Sequence, residues 1–248
     1  MKSFIKGLKW ILIFILIIVV GLYTFGYGYI FKGIQVVYFT GHTTAYIDDY
    51  PYFDNRTIET SSPQTWKLSK QYNTVKPTQR LLETHNRFGT VAFVVIKNGK
   101  IWHENYFDGY KKDSKTNSFS MAKSITVSLL FKAIQDGYIK SLDQPITNFF
   151  PNFEGEYAKN STLGDLASMS SGLNWEEQYY SPFSMTAKSY YDNNIKDLIL
   201  GLKINEKPGE SFKYLSGNTQ LLGMIIEKAS QKSLSEYLSQ SFWRPLGM

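Results

Sequence analysis

The amino-acid sequence predicts an α+β fold in which an antiparallel sheet is flanked by helices and preceded by one transmembrane helix. Three observations lead to this prediction: an uncharged apolar stretch near the N-terminus, two β-rich runs joined by Asn98-Gly99, and a series of helical patterns in the rest of the chain. The 248 residues, 43% of them hydrophobic, are sufficient for one substantial domain with its own core.

The first element is predicted to be a single-pass membrane anchor. The uncharged run 10–31 has 22 residues, more than the roughly 20 that cross a hydrocarbon core, and aromatic residues stand at both of its ends. Residues 1–9 carry Lys2, Lys6 and Lys9, and such a basic flank favours the cytoplasmic side. The remaining chain is therefore predicted to be periplasmic or extracellular. A cleaved signal peptide is the alternative, although no Ala-x-Ala-like site follows the run.

Residues 32–80 are predicted to form a tether and a cap on the surface of the following domain, 81–248. The segment is polar and aromatic, is interrupted by prolines, and shows neither a helical nor a strand period. His42 near Asp48-Asp49 suggests a metal-ligand set, but a single histidine beside loop carboxylates is more often solvated. No metal and no other cofactor is therefore predicted.

Two antiparallel strands are predicted at 91–96 and 101–107. Asn-Gly between two runs of β-branched and aromatic residues is the strongest short-range signal of a hairpin. A short helix is predicted before the hairpin, at 79–88.

A long helix is predicted from Ser120 to Asp136, and Gly137 can end it in a left-handed conformation. Further helices are predicted from caps and apolar spacing. Their signals are a capping box at 162–165, an asparagine cap at Asn194, an apolar period over 221–229 and a serine cap at Ser233.

Ser120 and Lys123 are predicted to be a nucleophile and its base. Three residues apart on a helix, their Cβ atoms lie about 5–6 Å from each other, so the hydroxyl and the amine come within reach. A serine hydroxyl needs a base to accept its proton, and a lysine serves only when its pKa falls below the usual value of about 10.4. Burial along an apolar helix and the positive helix N-terminus are both expected to favour the neutral amine. The same spacing occurs at Ser3 and Lys6, so the position at a helix start selects the first pair.

A lysine-activated serine needs a second proton carrier for the leaving group, and Tyr214 with Ser216 is the candidate. Both lie between the turn Pro208-Gly209 and an apolar helix, a context that other Tyr-x-Ser and Tyr-x-Asn sequences of the chain lack. Substrate contacts are predicted for three further residues, with a solvated loop as the alternative for the first two: Glu177, Tyr179 and Asn218.

The order of these motifs resembles the penicillin-recognising serine hydrolases, in the branch of class C β-lactamases, related esterases and 6-aminohexanoate-dimer hydrolases. The resemblance covers about 85–248 and rests on four segments: 120–123, 162–173, 208–216 and 245–248. It implies a β-lactamase/transpeptidase-like sheet with a mainly helical insert. It also implies an acyl-enzyme mechanism in which Ser120 and Lys123 form the first motif and Tyr214 and Ser216 the second.

Two departures from the family pattern stand out. Position 216 is serine where most β-lactamases have asparagine, which is similar to the amide and ester hydrolases of the branch. The third motif, Lys-Thr-Gly or His-x-Gly on a late strand, does not occur in the sequence. We therefore expect an incomplete family member without the C-terminal strands, in which Ser120 N–H is the remaining oxyanion donor. Loss of one such donor typically lowers the rate by about 10²–10³-fold.

The sequence thus predicts a membrane-anchored serine hydrolase that acts on a small-molecule amide, ester or peptide. The alternatives are a non-catalytic penicillin-binding-like sensor or inactive fragment, and a cell-wall D,D-peptidase that differs only in its acceptor. A Ser-His-Asp triad has less support, because all three histidines precede Ser120. The absence of cysteine excludes thiol chemistry, and the scattered lysines behind the net charge of +6 do not indicate a nucleic-acid partner.

Overall fold

The structure is a computed structural model that describes residues 2–248, with side chains from residue 4 onward. The N-terminal part of the chain is helical. Helix α1 covers Lys2–Thr24, and α2 covers Tyr29–Val37. Within α1, Phe4–Thr24 is long and apolar enough to cross a membrane, and the rest of the chain does not bury it. This helix begins before the predicted 10–31, at Lys2. It also ends earlier, at Thr24, because the chain bends at Gly26, whose φ is +76°.

The sheet has three strands, in the order β1-β3-β2. Their bounds are Lys67–Leu68 for β1, Ala92–Lys97 for β2 and Lys100–Tyr106 for β3. Strands β2 and β3 form the predicted antiparallel hairpin, and Asn98 and Gly99 both have positive φ, +52° and +68°, as a type I′ turn requires. The prediction of a purely antiparallel sheet is wrong at β1, which pairs in parallel with β3. Two residues are too few to show a strand period in the sequence.

Helices make up most of the remaining chain. Their bounds are Gln79–Phe88 (α3), Met121–Gln135 (α4), Leu163–Ala167 (α5), Met185–Tyr191 (α6), Ile195–Leu200 (α7), Ser216–Ser230 (α8) and Leu234–Leu238 (α9), with short 3₁₀ turns at Tyr50–Tyr52 and Ile146–Asn148 and a π-helical turn at Ser239–Trp243. The predicted capping box of Thr162 and Asp165 is confirmed, and Asn194 and Ser233 cap α7 and α9 as predicted. Helices α2 and α6 were not predicted.

The core lies between helices, with α4 packed on α8 at its centre. It is built from side chains that are almost fully buried, among them Leu129, Leu130, Ala133, Leu221, Leu222, Ile225 and Ile226. The sheet lies outside this cluster, with Val94 44% and Ile96 49% exposed on β2. The contact between α4 and α8 therefore fixes the relative position of the two motifs predicted to be catalytic.

The segment between α2 and the sheet lies along the surface of the helical body. Helix α2 packs on α6, and Gly33 fits against the ring of Tyr191, where an added Cβ would lie 3.3 Å from a ring carbon. Further along, the Ser61 hydroxyl donates to the Arg244 carbonyl at 2.7 Å. The segment predicted to be a tether is therefore attached to the body at several points.

Asp136 connects the end of α4 to α9. Its carboxylate accepts a hydrogen bond from the buried Tyr237 hydroxyl at 2.8 Å and pairs with Lys132. The Lys132 ammonium holds the pKa of Asp136 below its usual 3.8; burial opposes this shift, and the Tyr237 hydroxyl supports it.

Replacing Asp136 with asparagine is expected to lower the free energy of unfolding at neutral pH by about 1.5 kcal/mol, because a charged hydrogen-bond acceptor is lost. A carboxylate with a lowered pKa in the folded state stabilises the fold above its unfolded pKa, and this contribution disappears as the pH falls through the folded value. The difference between wild type and Asp136→Asn should therefore vanish well below pH 3.8 in denaturant titrations. The exposed Asp143→Asn is the control, and a difference that stays constant with pH contradicts the assignment.

Candidate active site

Ser120 and Lys123 meet at the start of α4. Ser120 is the N-cap residue of the helix and Lys123 lies one turn further along, so the two side chains share a face. Lys123 Nζ and Ser120 Oγ lie 3.1 Å apart, a hydrogen-bond distance. A neutral amine at this distance can accept the hydroxyl proton directly.

The loop in front of Ser120 is held by Asn117. Its side-chain oxygen accepts a hydrogen bond from Phe119 N–H (2.9 Å), and its side-chain nitrogen donates to the Tyr190 hydroxyl (2.8 Å). Its backbone N–H donates to the Ile47 carbonyl at 2.6 Å. Phe119 has a φ of +44°, a left-handed conformation that costs a non-glycine residue about 1–3 kcal/mol. Asn117 therefore stabilises an unfavourable conformation just before the predicted nucleophile.

The backbone N–H of Ser120 has no acceptor among residues 2–248. An N–H on the nucleophile itself can donate to the oxygen of a carbonyl that the hydroxyl attacks. The start of α4 thus supplies a hydroxyl, an amine and one oxyanion donor within a single turn.

Tyr214, the first residue of the second predicted motif, lies next to Lys123. The packing of α4 on α8 brings the stretch before α8 next to the start of α4, and Lys123 Nζ lies 5.1 Å from the centre of the Tyr214 ring. This distance places the Tyr214 ring directly beside the Lys123 amine. Tyr214 is 40% exposed, and Ser216 is the first residue of α8. Residues more than ninety positions apart in the sequence therefore meet at one site.

Glu177 is the most highly hydrogen-bonded side chain near Ser216. Its Oε2 accepts from Ser216 N–H at 2.6 Å and from Trp175 Nε1–H at 2.8 Å. Its Oε1 accepts from the Ser216 hydroxyl at 2.8 Å and from the Tyr179 hydroxyl at 2.5 Å. Two of the three residues predicted to contact substrate, Glu177 and Tyr179, thus lie beside the second motif.

These contacts change the acidity of both side chains. Burial raises the pKa of Glu177, but the hydrogen bonds from Tyr179, Ser216 and Trp175 lower it by more, so the pKa lies below its usual range. Burial, together with the hydrogen bond to Glu177, raises the pKa of Tyr179 to about 12. At neutral pH Glu177 is therefore an anion that only accepts hydrogen bonds, and Tyr179 is a neutral donor.

The beta-lactamase family model matches residues 78–248, more than half of the chain. The chain belongs to the beta-lactamase family. Members of this family are serine hydrolases, and both predicted motifs of this chain lie inside the matched region. The predicted relationship to the penicillin-recognising serine hydrolases is confirmed.

Similar proteins of this family include Protein flp of Staphylococcus aureus, strain NCTC 8325 / PS 47, with 28% identity over 169 residues, 63% of this chain and 33% of Flp. The 6-aminohexanoate-dimer hydrolase of Paenarthrobacter ureafaciens is 26% identical over 179 residues, 68% of this chain and 44% of that enzyme. A solved Bacillus anthracis structure, provisionally named a 6-aminohexanoate-dimer hydrolase, has a TM-score of 0.67 at 22% identity and covers 82% of this chain and 58% of that one. The last match shows a β-lactamase/transpeptidase-like fold. The chain spans less than half the length of the two sequence relatives.

The prediction that Asn218 contacts substrate is wrong. Asn218 is fully buried in the first turn of α8, and its side-chain oxygen accepts a hydrogen bond from the Ser171 hydroxyl at 2.6 Å. It therefore connects α8 to the segment after α5 beneath the site. A residue two positions after Ser216 points into the core because α8 packs on α5 there.

The predicted burial of the start of α4 is also wrong. Ser120 is exposed, Met121 is 73% exposed and Lys123 is half-buried. The buried side chains of α4 all come from its second half, at Leu129, Leu130 and Ala133. An apolar composition showed that α4 is a core helix, but only its contacts show which half is covered.

Among the described residues, no three His, Asp or Glu side chains converge as a metal site requires. His42, which the sequence placed near two aspartates, stacks on the Tyr46 ring at a centroid distance of 3.9 Å.

Proposed function

We propose that this protein is a membrane-anchored serine hydrolase that cleaves an amide or ester through an acyl-enzyme on Ser120. The observation that carries the proposal is the distance of 3.1 Å between Ser120 Oγ and Lys123 Nζ at the start of α4, in a chain of the beta-lactamase family. The substrate class is a small-molecule amide, ester or peptide.

In the proposed reaction, Ser120 Oγ attacks the carbonyl carbon while Lys123 Nζ accepts the hydroxyl proton. The carbonyl oxygen takes up the negative charge and accepts a hydrogen bond from Ser120 N–H. Tyr214, with Ser216, passes a proton to the nitrogen or oxygen that leaves, which completes the acyl-enzyme. Water then attacks the acyl group and gives a proton to Tyr214, while Lys123 returns its proton to Ser120 Oγ as the bond to the acyl group breaks, which releases the acid and free Ser120.

The proposed anchor is the apolar segment of α1, with the domain 81–248 on the outer side of the membrane and 32–80 between them. Lys6 and Lys9 lie near the N-terminal end of α1, and basic residues favour the cytoplasmic side. The anchor therefore orients the candidate site toward the periplasm or the cell exterior.

One observation favours a second candidate function, a sensor that is acylated but does not turn over. Ser120 is exposed, and an open site screens the charges that develop in the transition state. A sensor needs only the first half of the reaction.

Mapping the adduct of a fluorophosphonate probe on the detergent-solubilised chain tests the proposal. We expect a single adduct on Ser120, and repeated turnover of an activated ester at a rate that scales with the amount of protein. A single burst without turnover supports the sensor. An adduct on another residue, or labelling equal to that of the heat-denatured chain, refutes the role of Ser120.

A further inference from the structure

Glu177 lies where it can determine the geometry of the second motif. From its hydrogen bonds we infer that Glu177 is a positioning residue that fixes the turn from Tyr214 to Ser216 and sets the direction of the Ser216 hydroxyl. The inference rests on the proposed function, in which Tyr214 passes the proton to the leaving group and Ser216 lies beside it. It assigns Glu177 a place behind the catalytic groups and not a contact with substrate.

Glu177 supplies the cap that α8 lacks. The N-cap residue of this helix is Leu215, which has no side-chain acceptor for the free N–H groups of the first turn. Glu177 Oε2 accepts from Ser216 N–H at 2.6 Å, although Glu177 is 39 residues away in the chain. A carboxylate at this position also interacts favourably with the positive end of the helix dipole. The start of α8, and Tyr214 just before it, thereby depend on Glu177.

The Glu177 carboxylate is itself held in place from two sides. Trp175, only 5% exposed, donates its indole N–H at 2.8 Å, and Tyr179 donates its hydroxyl at 2.5 Å. The Trp175 ring lies so close to Gly217 that a Cβ there would be 2.8 Å from it. Two donors on each oxygen match the roughly four acceptor sites of a carboxylate, so none remains for a substrate.

The orientation of the Ser216 hydroxyl has a consequence for the substrate. A serine hydroxyl has one proton, and Ser216 donates it to Glu177 Oε1 at 2.8 Å. Only lone pairs of Ser216 Oγ remain to face the site. The group that meets Ser216 must therefore be a hydrogen-bond donor, which an amide N–H is and an ester oxygen is not. The arrangement favours amide substrates over esters with the same acyl group.

Two substitutions at Glu177 separate the two parts of the inference. Glu177→Ala removes every acceptor, so the Ser216 backbone N–H loses its partner. In Glu177→Gln the amide oxygen can still accept from Ser216 N–H and Trp175, but the amide nitrogen must donate to Ser216 Oγ, which turns the serine proton toward the site. Glu176→Ala and Glu176→Gln are the matched controls, because Glu176 is exposed and carries the same charge at the adjacent position.

The first measurement is amide hydrogen exchange at Ser216, which requires no activity. We expect exchange at least about tenfold faster in Glu177→Ala, because a hydrogen bond to a charged group is lost, and near wild type in Glu177→Gln and both controls. Exchange in Glu177→Ala equal to that in Glu176→Ala overturns the positioning role. If Glu177→Ala does not fold, Tyr179→Phe replaces it, because this variant removes one donor to the Glu177 carboxylate. The exchange rate at Ser216 should then rise by a smaller factor. An unchanged exchange rate overturns the positioning role.

The second measurement is turnover of an amide and an ester that share one acyl group. For Glu177→Gln we expect kcat for the amide to fall about tenfold relative to the ester with little change in KM, because Ser216 no longer presents an acceptor. An unchanged amide-to-ester ratio overturns the inference about Ser216. Failure of the proposed function appears differently, as an absence of Ser120 labelling in the wild-type chain while the exchange result stands.

Discussion

Replacing Lys123 with methionine is expected to lower the rate of Ser120 acylation by about 10²–10⁴-fold, the usual contribution of a positioned base. Methionine keeps most of the volume of the lysine stem but has no nitrogen to accept the hydroxyl proton across the 3.1 Å that separates the two groups in wild type. Stopped-flow measurement of fluorophosphonate labelling gives the rate, with Ser120→Ala as the zero reference.

The control for this experiment is Lys196→Met, which removes an exposed lysine from α7. It should label at the wild-type rate. Equal labelling of Lys123→Met and Lys196→Met would show that another group activates Ser120, and the proposed role of Lys123 as the base would be lost.

Replacing Gly172 with alanine is expected to destabilise the fold by several kcal/mol. Gly172 has a φ of +74°, and a Cβ there would lie 2.0 Å from the Glu206 carbonyl oxygen. The left-handed conformation costs an alanine about 1–2 kcal/mol. The clash adds about 1–3 kcal/mol, because the neighbour is backbone and can move only with the segment around it.

Gly137→Ala measures the cost of the left-handed conformation alone, so the difference between the two variants gives the cost of the clash. Gly137 also has a positive φ, +79°, but no heavy atom lies within 4 Å of the position of its Cβ. Denaturant titrations should therefore show a loss of about 1–2 kcal/mol for Gly137→Ala and about 1–3 kcal/mol more for Gly172→Ala. Equal losses would mean that the approach of Gly172 to Glu206 is looser than the structure indicates.

The elements that the sequence predicted well are those determined by neighbouring residues. Asn98 and Gly99 adopt positive φ because asparagine tolerates the left-handed region and glycine has no Cβ, and the flanking β-rich runs pair as a hairpin. Thr162 and Asp165 cap α5 through bonds that span three residues. In the same way, the spacing of Ser120 and Lys123 on a helix was sufficient to predict their contact.

The features that the sequence did not predict depend on contacts between distant residues. Asn218 and Ser216 lie on one helix, and only the packing of α8 shows that the first is buried and the second is not. Asn117 has a local signal, the tendency of asparagine to bond to the backbone two residues ahead. The hydrogen bond from Asn117 to Tyr190 has no local sequence signal, and neither has the left-handed conformation of Phe119. Glu177 was singled out as a substrate contact because its loop is polar, whereas its actual partners come from α8 and from its own loop.

With α1 as the proposed membrane anchor, the packing of α2 on α6 would determine how far the protein can reach from the lipid surface. Tyr27, in the bend directly after α1, also meets Phe183 edge to face at 5.2 Å, so the body is attached within a few residues of the proposed anchor. If α1 is the anchor proposed above, a protein held in this way cannot swing outward, and its candidate site stays at a nearly constant height above the bilayer. It would then meet new substrate by lateral diffusion, and molecules beyond that thin layer would stay out of range.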